Sequence, residues 1–375
     1  MPTITPVWRG RPLAPAPQPR PDMTVLDALV MLLNGLAAGG LLFMLGAGLT
    51  LILSLMGVLN FAHGALYMLG AYLGGALAQA LGFWPALALA PLAVGGLGWV
   101  FERTVLQRVQ AGGHGAELLV TFGLGLLITE GVQLVWGRGP LPLVPPPAWL
   151  QGPAFTLVVA EATGWHGLAG AAPAGLCTSA GVGVNVALGA AVQCAGFPAS
   201  RVLILGTALV MGGVLFFLWR FTRVGLVVQA ALTHPHTVQA LGHDLPRLRR
   251  AVFAAGCALA GLAGVVAAQA FVVEPGMAAA TGALLFVVVV VGGLGSLGGA
   301  LLAALLVGAL QTWPLAWDVS IADGLRRMGW SPGPQSPGWP LWRLTLAQAA
   351  PMLPYALLVA VLVWRPQGIA GRDAA

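Results

Sequence analysis

From residue 24 onward, long apolar stretches alternate with short loops that carry arginine, proline and glycine. With roughly 20 residues as the length of a helix that crosses a bilayer, the apolar stretches predict spans at 24–45, 46–59, 63–82, 84–101, 118–136, 201–219, 251–273, 282–310 and 352–364. Two regions break this pattern. The stretch 46–82 is too long for one span and is interrupted by Asn60 and His63, and the stretch 282–310 is interrupted by Gly292, Gly293, Gly295 and Ser296. In hydrocarbon a polar side chain must find a partner or line a water-filled cavity. Interrupted apolar segments at corresponding places in two halves of a chain point to the repeat interface of a transporter. The expected fold class is therefore all-α, a polytopic transmembrane helical bundle with an internal inverted repeat and broken helices. The competing reading assigns the glycines to close helix packing alone, which the Gly70/Gly74 and Gly295/Gly299 spacings also permit.

Composition closes off the soluble classes. Of the 375 residues 58% are hydrophobic and only 7% charged, whereas soluble domains carry roughly 25% charged residues. The net charge of +6 comes from arginine, since the chain contains no lysine. Arg103 and Arg108, then Arg220, Arg223, Arg247, Arg249 and Arg250, then Arg365 and Arg372 lie next to apolar spans. Positive-inside topology makes those places cytoplasmic. Regions 137–200 and 311–351 are then external, and 282–310 must cross twice or re-enter. The basic excess is thus a topology signal facing membrane lipid; with no basic patch interleaved with aromatics, no nucleic-acid partner is expected. Residues 1–22 are Pro-rich and basic, either a tail or a mis-called gene start with Met23 as the initiator. The transmembrane domain is 23–369, with a cytoplasmic loop at 220–250 and a cytoplasmic tail at 370–375.

Enzyme signatures are missing: there is no Walker A sequence, no His-Glu-x-x-His, no Cys-x-x-Cys and no Gly-x-Ser-x-Gly. No catalytic residue is therefore assigned and the chain is not read as an enzyme. His234 and His236 flank Pro235 without a carboxylate or thiolate set nearby, so no metal site is expected. Cys177 and Cys194 fall in the first external region, where they either form a disulfide or remain two thiols. For a translocation pathway the candidates are Asn60 and His63, Tyr67 one turn on from His63 and on the same helical face, and Ser296 meeting them across the repeat interface. The alternative for this group is interhelical hydrogen bonding, worth about 0.6 kcal/mol on average per bond in membranes. Ion-driven transport would need buried acidic relays, which the spans almost lack.

Five motifs in order carry a family resemblance: GLTLILSLMGVLNFAHGALYMLGAYLG at 48–74, Glu102-Arg103 followed by LLVTFGLGLLITEGVQLVWG at 118–137, PGM at 275–277, VVVVGGLGSLGGALLAALLVG at 288–308 and WRPQG at 364–368. Together they resemble the branched-chain amino-acid permeases of ATP-binding-cassette importers, nearer to the NFAHG-type permease than to its paralogue. The resemblance runs from 24 to 369 except for 140–196 and 311–350, which look like insertions. It implies a multi-pass subunit of a bacterial cytoplasmic membrane, paired with the paralogous second permease, seated on two cytoplasmic ATPase subunits that bind the ATP, and supplied by a periplasmic substrate-binding protein. The chain itself then needs no cofactor. Branched-chain or related amino acids are the implied cargo; urea, amides or aromatic acids are the alternative. It also implies an ATPase-docking element in 220–250, where Ala231, Gly242 and Arg247 keep the pattern while Gln229, His234 and His236 depart from it, and Pro235 is expected to disturb the first turns of a coupling helix.

Overall fold

The computed structural model describes residues 25–141, 147–160, 164–172, 182–185, 190–316, 319–330, 333 and 335–371. Helices α1 (Val25–Met56), α2 (His63–Leu81), α3 (Phe83–Val109) and α4 (His114–Trp136) lead into a four-stranded sheet of β1 (Pro153–Ala160), β2 (Gly164–Ala169), β3 (Val182–Asn185) and β4 (Ala190–Pro198). Helices α5 (Ala199–Phe221), α6 (Arg223–Thr233), α7 (Pro235–Ala240), α8 (Leu245–Ala267), α9 (Met277–Gly292), α10 (Leu297–Ala316) and α11 (Leu353–Trp364) follow. Short helices such as Ile321–Arg327 fill the connection between α10 and α11. Among the described residues eight helical stretches are long and apolar enough to cross a membrane; α9, with 16 residues, is apolar but shorter. The chain is a polytopic helical membrane protein.

The expected spans 24–45 and 46–59 are one helix of 32 residues. The glycines at 39, 40, 46 and 48 that resemble punctuation are packing surfaces instead, since membrane helices tolerate glycine where a neighbour comes close. A Cβ on Gly39 would stand 2.8 Å from the Leu305 Cα, and one on Gly48 2.7 Å from the Gly256 carbonyl oxygen. These contacts lay α1 antiparallel along α10 and across the midpoint of α8. The far end of α1 continues past the bundle: Leu55 joins a buried cluster with Val228, Ala231, Val238 and Leu245 from α6, α7 and α8. Because α1 crosses once, its start lies on the face opposite the arginine-bearing 220–250 loop. The region 282–310 is divided between α9 and α10, which turn at Gly293–Ser296; α9 starts inside the bundle, with Ala278 against Gly64 of α2.

The region 137–200, expected to be external, is not simply a loop. Its strands form an antiparallel sheet in the order β2-β1-β4-β3, with Phe155 opposite Ala169, Val158 opposite Cys194 and Val184 opposite Ala191. The sheet is held to the bundle where Leu150, Phe83 and Ala199 are buried together and Trp84 stacks on Trp149 at 5.7 Å between ring centroids. Cys194 is disulfide-bonded; the expected partner, Cys177, lies outside the described residues.

Gly39→Ala should lower the apparent Tm of the detergent-solubilised protein by several degrees, since overpacking against backbone costs about 1–3 kcal/mol. Gly206→Ala, in α5 with open space around its Cα, should leave it unchanged or raise it; equal shifts in both variants would disprove the α1–α10 contact.

Candidate functional site

The polar centre of the bundle is the break between α1 and α2. Gly57, at φ +68°, ends α1 with its N–H donating to the Leu53 carbonyl at 2.9 Å. The chain then folds back, so that the His63 ring lies against Gly48: a Cβ on that glycine would stand 3.2 Å from the ring. Gly48 in turn faces Gly256 in the middle of α8. Helix α2 therefore begins inside the bundle and not at its surface.

Unwound backbone at that depth needs internal partners. Asn60 supplies two: its Oδ1 accepts from the Ala62 N–H and its carbonyl from the His63 N–H, each at 3.1 Å. Thr121 of α4 supplies the rest. Its Oγ1 lies 3.4 Å from the Phe61 nitrogen, 3.4 Å from the Leu59 carbonyl and 3.0 Å from the Leu118 carbonyl. One hydroxyl proton serves one carbonyl at a time, while the oxygen accepts from Phe61. Thr121 was not among the sequence candidates, because in LLVTFGL it reads as an ordinary helix threonine bonded to its own preceding turn.

Beside the break is a cavity of about 460 Å³. Leu49, Asn60, Phe61, His63, Phe122, Phe286 and Tyr355 line it, together with the first turns of α9 at Ala278 and Ala279. Among the described residues none of its lining side chains is a carboxylate, ammonium or guanidinium. Asn60 is 3% and His63 1% exposed. The Asn60 Nδ2 and both His63 ring nitrogens are without a hydrogen-bond partner; the Leu45 carbonyl lies near the imidazole, outside hydrogen-bond geometry.

The other two pathway candidates are elsewhere. Tyr67 is buried, and its hydroxyl faces the Thr281 side chain of α9 and not the cavity. Ser296 does not meet Asn60 and His63 either. Its Oγ accepts from the Gly299 N–H at 3.1 Å, capping the start of α10, because a serine just before an apolar helix satisfies one of the helix's free donors locally. The Gly292–Ser296 break is a tight turn, with Gly293 at φ +97° and Gly295 at φ +85°. Ser54 donates to the Gly295 carbonyl at 3.0 Å, and the chain after α11 packs on the turn through Ile369 N–H to Val291 and Ala370 N–H to Gly292. The two breaks thus differ in kind: one borders a cavity and one is closed by backbone.

On the arginine-bearing face the 220–250 loop forms two short helices. Thr222 caps α6 through the Gly225 N–H, and Gln229 Nε2 donates to the Trp219 carbonyl at 2.7 Å. Pro235 does not disturb a helix; it is the first residue of α7, where a missing N–H costs nothing. Ala231 is buried in the cluster that receives the end of α1. Gly242, at φ +88°, makes the turn to α8, and Arg247 pairs with the α8 cap residue Asp244 at 2.9 Å. His234, His236, Leu241 and His243 are exposed, Leu241 at 74%. At the root of α8, Arg250 stands 3.6 Å from the buried Glu102 carboxylate and over the Trp99 ring, tying α8 to the π-helical turn Glu102–Leu106 within α3.

A family model described as branched-chain amino acid transport system / permease component matches residues 31–362. The chain is 24% identical over 355 residues to the high-affinity branched-chain amino acid transport system permease protein BraD of Pseudomonas aeruginosa, covering 92% of this chain and 96% of that one. It is 24% identical over 359 residues, at the same coverage, to LivH of Escherichia coli K12. It is 29% identical over 276 residues to LivM of Salmonella typhimurium, covering 70% of this chain and 59% of that protein. No solved structure matches the chain.

Thr121→Val, nearly isosteric, should destabilise the bundle by about 1 kcal/mol, the net worth of a hydrogen bond, because it strands the Phe61 N–H. Thr129→Val, whose hydroxyl bonds only within its own helix to Gly125, should be close to neutral. Thermal unfolding of the two purified variants compares them directly.

Proposed function

Because the chain belongs to the family of permease components of branched-chain amino acid transport systems, we propose that it is one of two membrane subunits of an ATP-binding-cassette importer in a bacterial inner membrane. Its relatives include proteins named LivH and proteins named LivM, two permeases of one kind of system, which supports a paralogous membrane partner. Two cytoplasmic ATPase subunits and a periplasmic binding protein complete the assembly. The cargo is a branched-chain amino acid or a close analogue.

The observation that carries this reading is the cavity at the start of α2. It is large enough for one such molecule, its walls are mainly aliphatic and aromatic, and its polar side chains are few: Asn60 and His63 at the break and Tyr355 of α11. A hydrophobic pocket with a few convergent polar atoms is the usual form of a small-molecule site. Asn60 and His63 form the pathway's polar end, and Tyr67 has a supporting role from its place on α2, facing Thr281 of α9. The α6–α7 unit presents the ATPase-facing surface. Leu55 of α1 joins that unit's buried cluster, and α1 lines the cavity through Leu49, so a push on α6 and α7 reaches the break through one rigid helix.

Gentle extraction from the native membrane should recover a second permease and an ATPase pair together with this chain, identified by mass spectrometry. Recovery without an ATPase would overturn the importer reading. In the same experiment Leu241→Asp should lower ATPase recovery at least about tenfold, the effect of removing roughly 1.4 kcal/mol from an interface, and leave the second permease bound.

A further inference from the structure

Two features of the cavity have the same sign. The first is the start of α2. A helix N-terminus carries about half a positive charge and N–H donors beyond those its cap engages; this one opens inside the bundle, with Asn60 taking only the Ala62 and His63 N–H groups. Gly64, in its first turn, lines the cavity. The second is Asn60, whose Oδ1 is engaged by the Ala62 N–H, leaving Nδ2 buried, at the cavity wall and without an acceptor. Among the described residues no acidic side chain lines the cavity to receive a cation. Interrupted membrane helices use such N-termini for anionic groups of their substrates.

We propose that the α2 N-terminus and the Asn60 side-chain amide form a carboxylate-binding end of the cavity, with the apolar body of the ligand lying against Phe61, Phe122 and Phe286. The inference rests on reading the cavity as the transport site and adds which end of the cargo the permease recognises. The carboxylate is held by donors, and the ammonium of an amino acid has no counter-charge here. The site therefore separates carboxylates from amides but discriminates little between an amino acid and the matching acid without its amine.

The test uses the full assembly carrying Ala279→Cys. That position lines the cavity and is exposed, whereas native Cys257 is buried and Cys194 is disulfide-bonded. The rate of maleimide labelling is followed with L-leucine, 4-methylpentanoate or L-leucinamide at millimolar concentration. L-leucine and 4-methylpentanoate should slow labelling and L-leucinamide should not. Asn60→Asp keeps the Oδ1 bond to Ala62 and replaces the donor with a negative charge. It should weaken protection by both carboxylates at least about tenfold, the scale of a buried charge left without a partner, while the assembly still purifies intact. Protection by leucinamide equal to that by leucine, or no effect of Asn60→Asp, would overturn the carboxylate end and leave the amino-acid importer standing. Protection by 4-methylpentanoate without protection by leucine would support the carboxylate end and count against amino-acid cargo. If no probe protects, the proposed site is wrong.

Discussion

Everything at the centre of this bundle depends on one requirement: a peptide group removed from a helix inside an apolar medium must be given a partner from elsewhere in the protein. Between Met56 and His63 the chain leaves helical geometry in a place that water does not reach freely. Asn60 and Thr121 together answer for the backbone of 59–63. That arrangement allows α2 to start where it does, and the start of α2 in turn gives the cavity its polarity. A continuous helix through the same residues would satisfy its own backbone and present no helix start to the cavity.

The second constraint is distance. Helices in lipid gain little from apolar burial against one another, so they associate through close van der Waals contact. Gly35, Gly39 and Gly308 let α1 and α10 touch along their backbones, and Gly70, Gly261 and Gly264 do the same for α2 and α8. Gly64 lies so near the Ala278 carbonyl that any side chain there would collide with α9. The cavity is therefore bounded by helices with little freedom to shift singly, and a change in its shape must move helices as groups.

Much of this was legible in the order of residues, for physical reasons that can be named. Apolar run length marks the membrane helices because the bilayer fixes it, and Asn60 and His63 stand out because polar groups are rare at that depth. Run length misleads at 24–59, where glycines look like interruptions although they serve contact with α10 and α8. Ser296 is conspicuous in the sequence, but its partner is its own helix, three residues away. The importance of Thr121 depends on a contact with residues about 60 positions earlier, which no local pattern encodes. The sheet between α4 and α5 is equally obscure, since its strands carry neither strict alternation nor strong turn signals.

The pairing of α1 with α10 also has a temporal side. These helices are far apart in the chain, and at a synthesis rate of about 5–20 residues per second α10 emerges on the order of tens of seconds after α1. Throughout that interval the face of α1 holding Gly35 and Gly39 has no α10 to meet. A small-residue face is what other membrane helices pack on. The residues that allow the final close contact thus leave α1 open to other helices until its partner arrives.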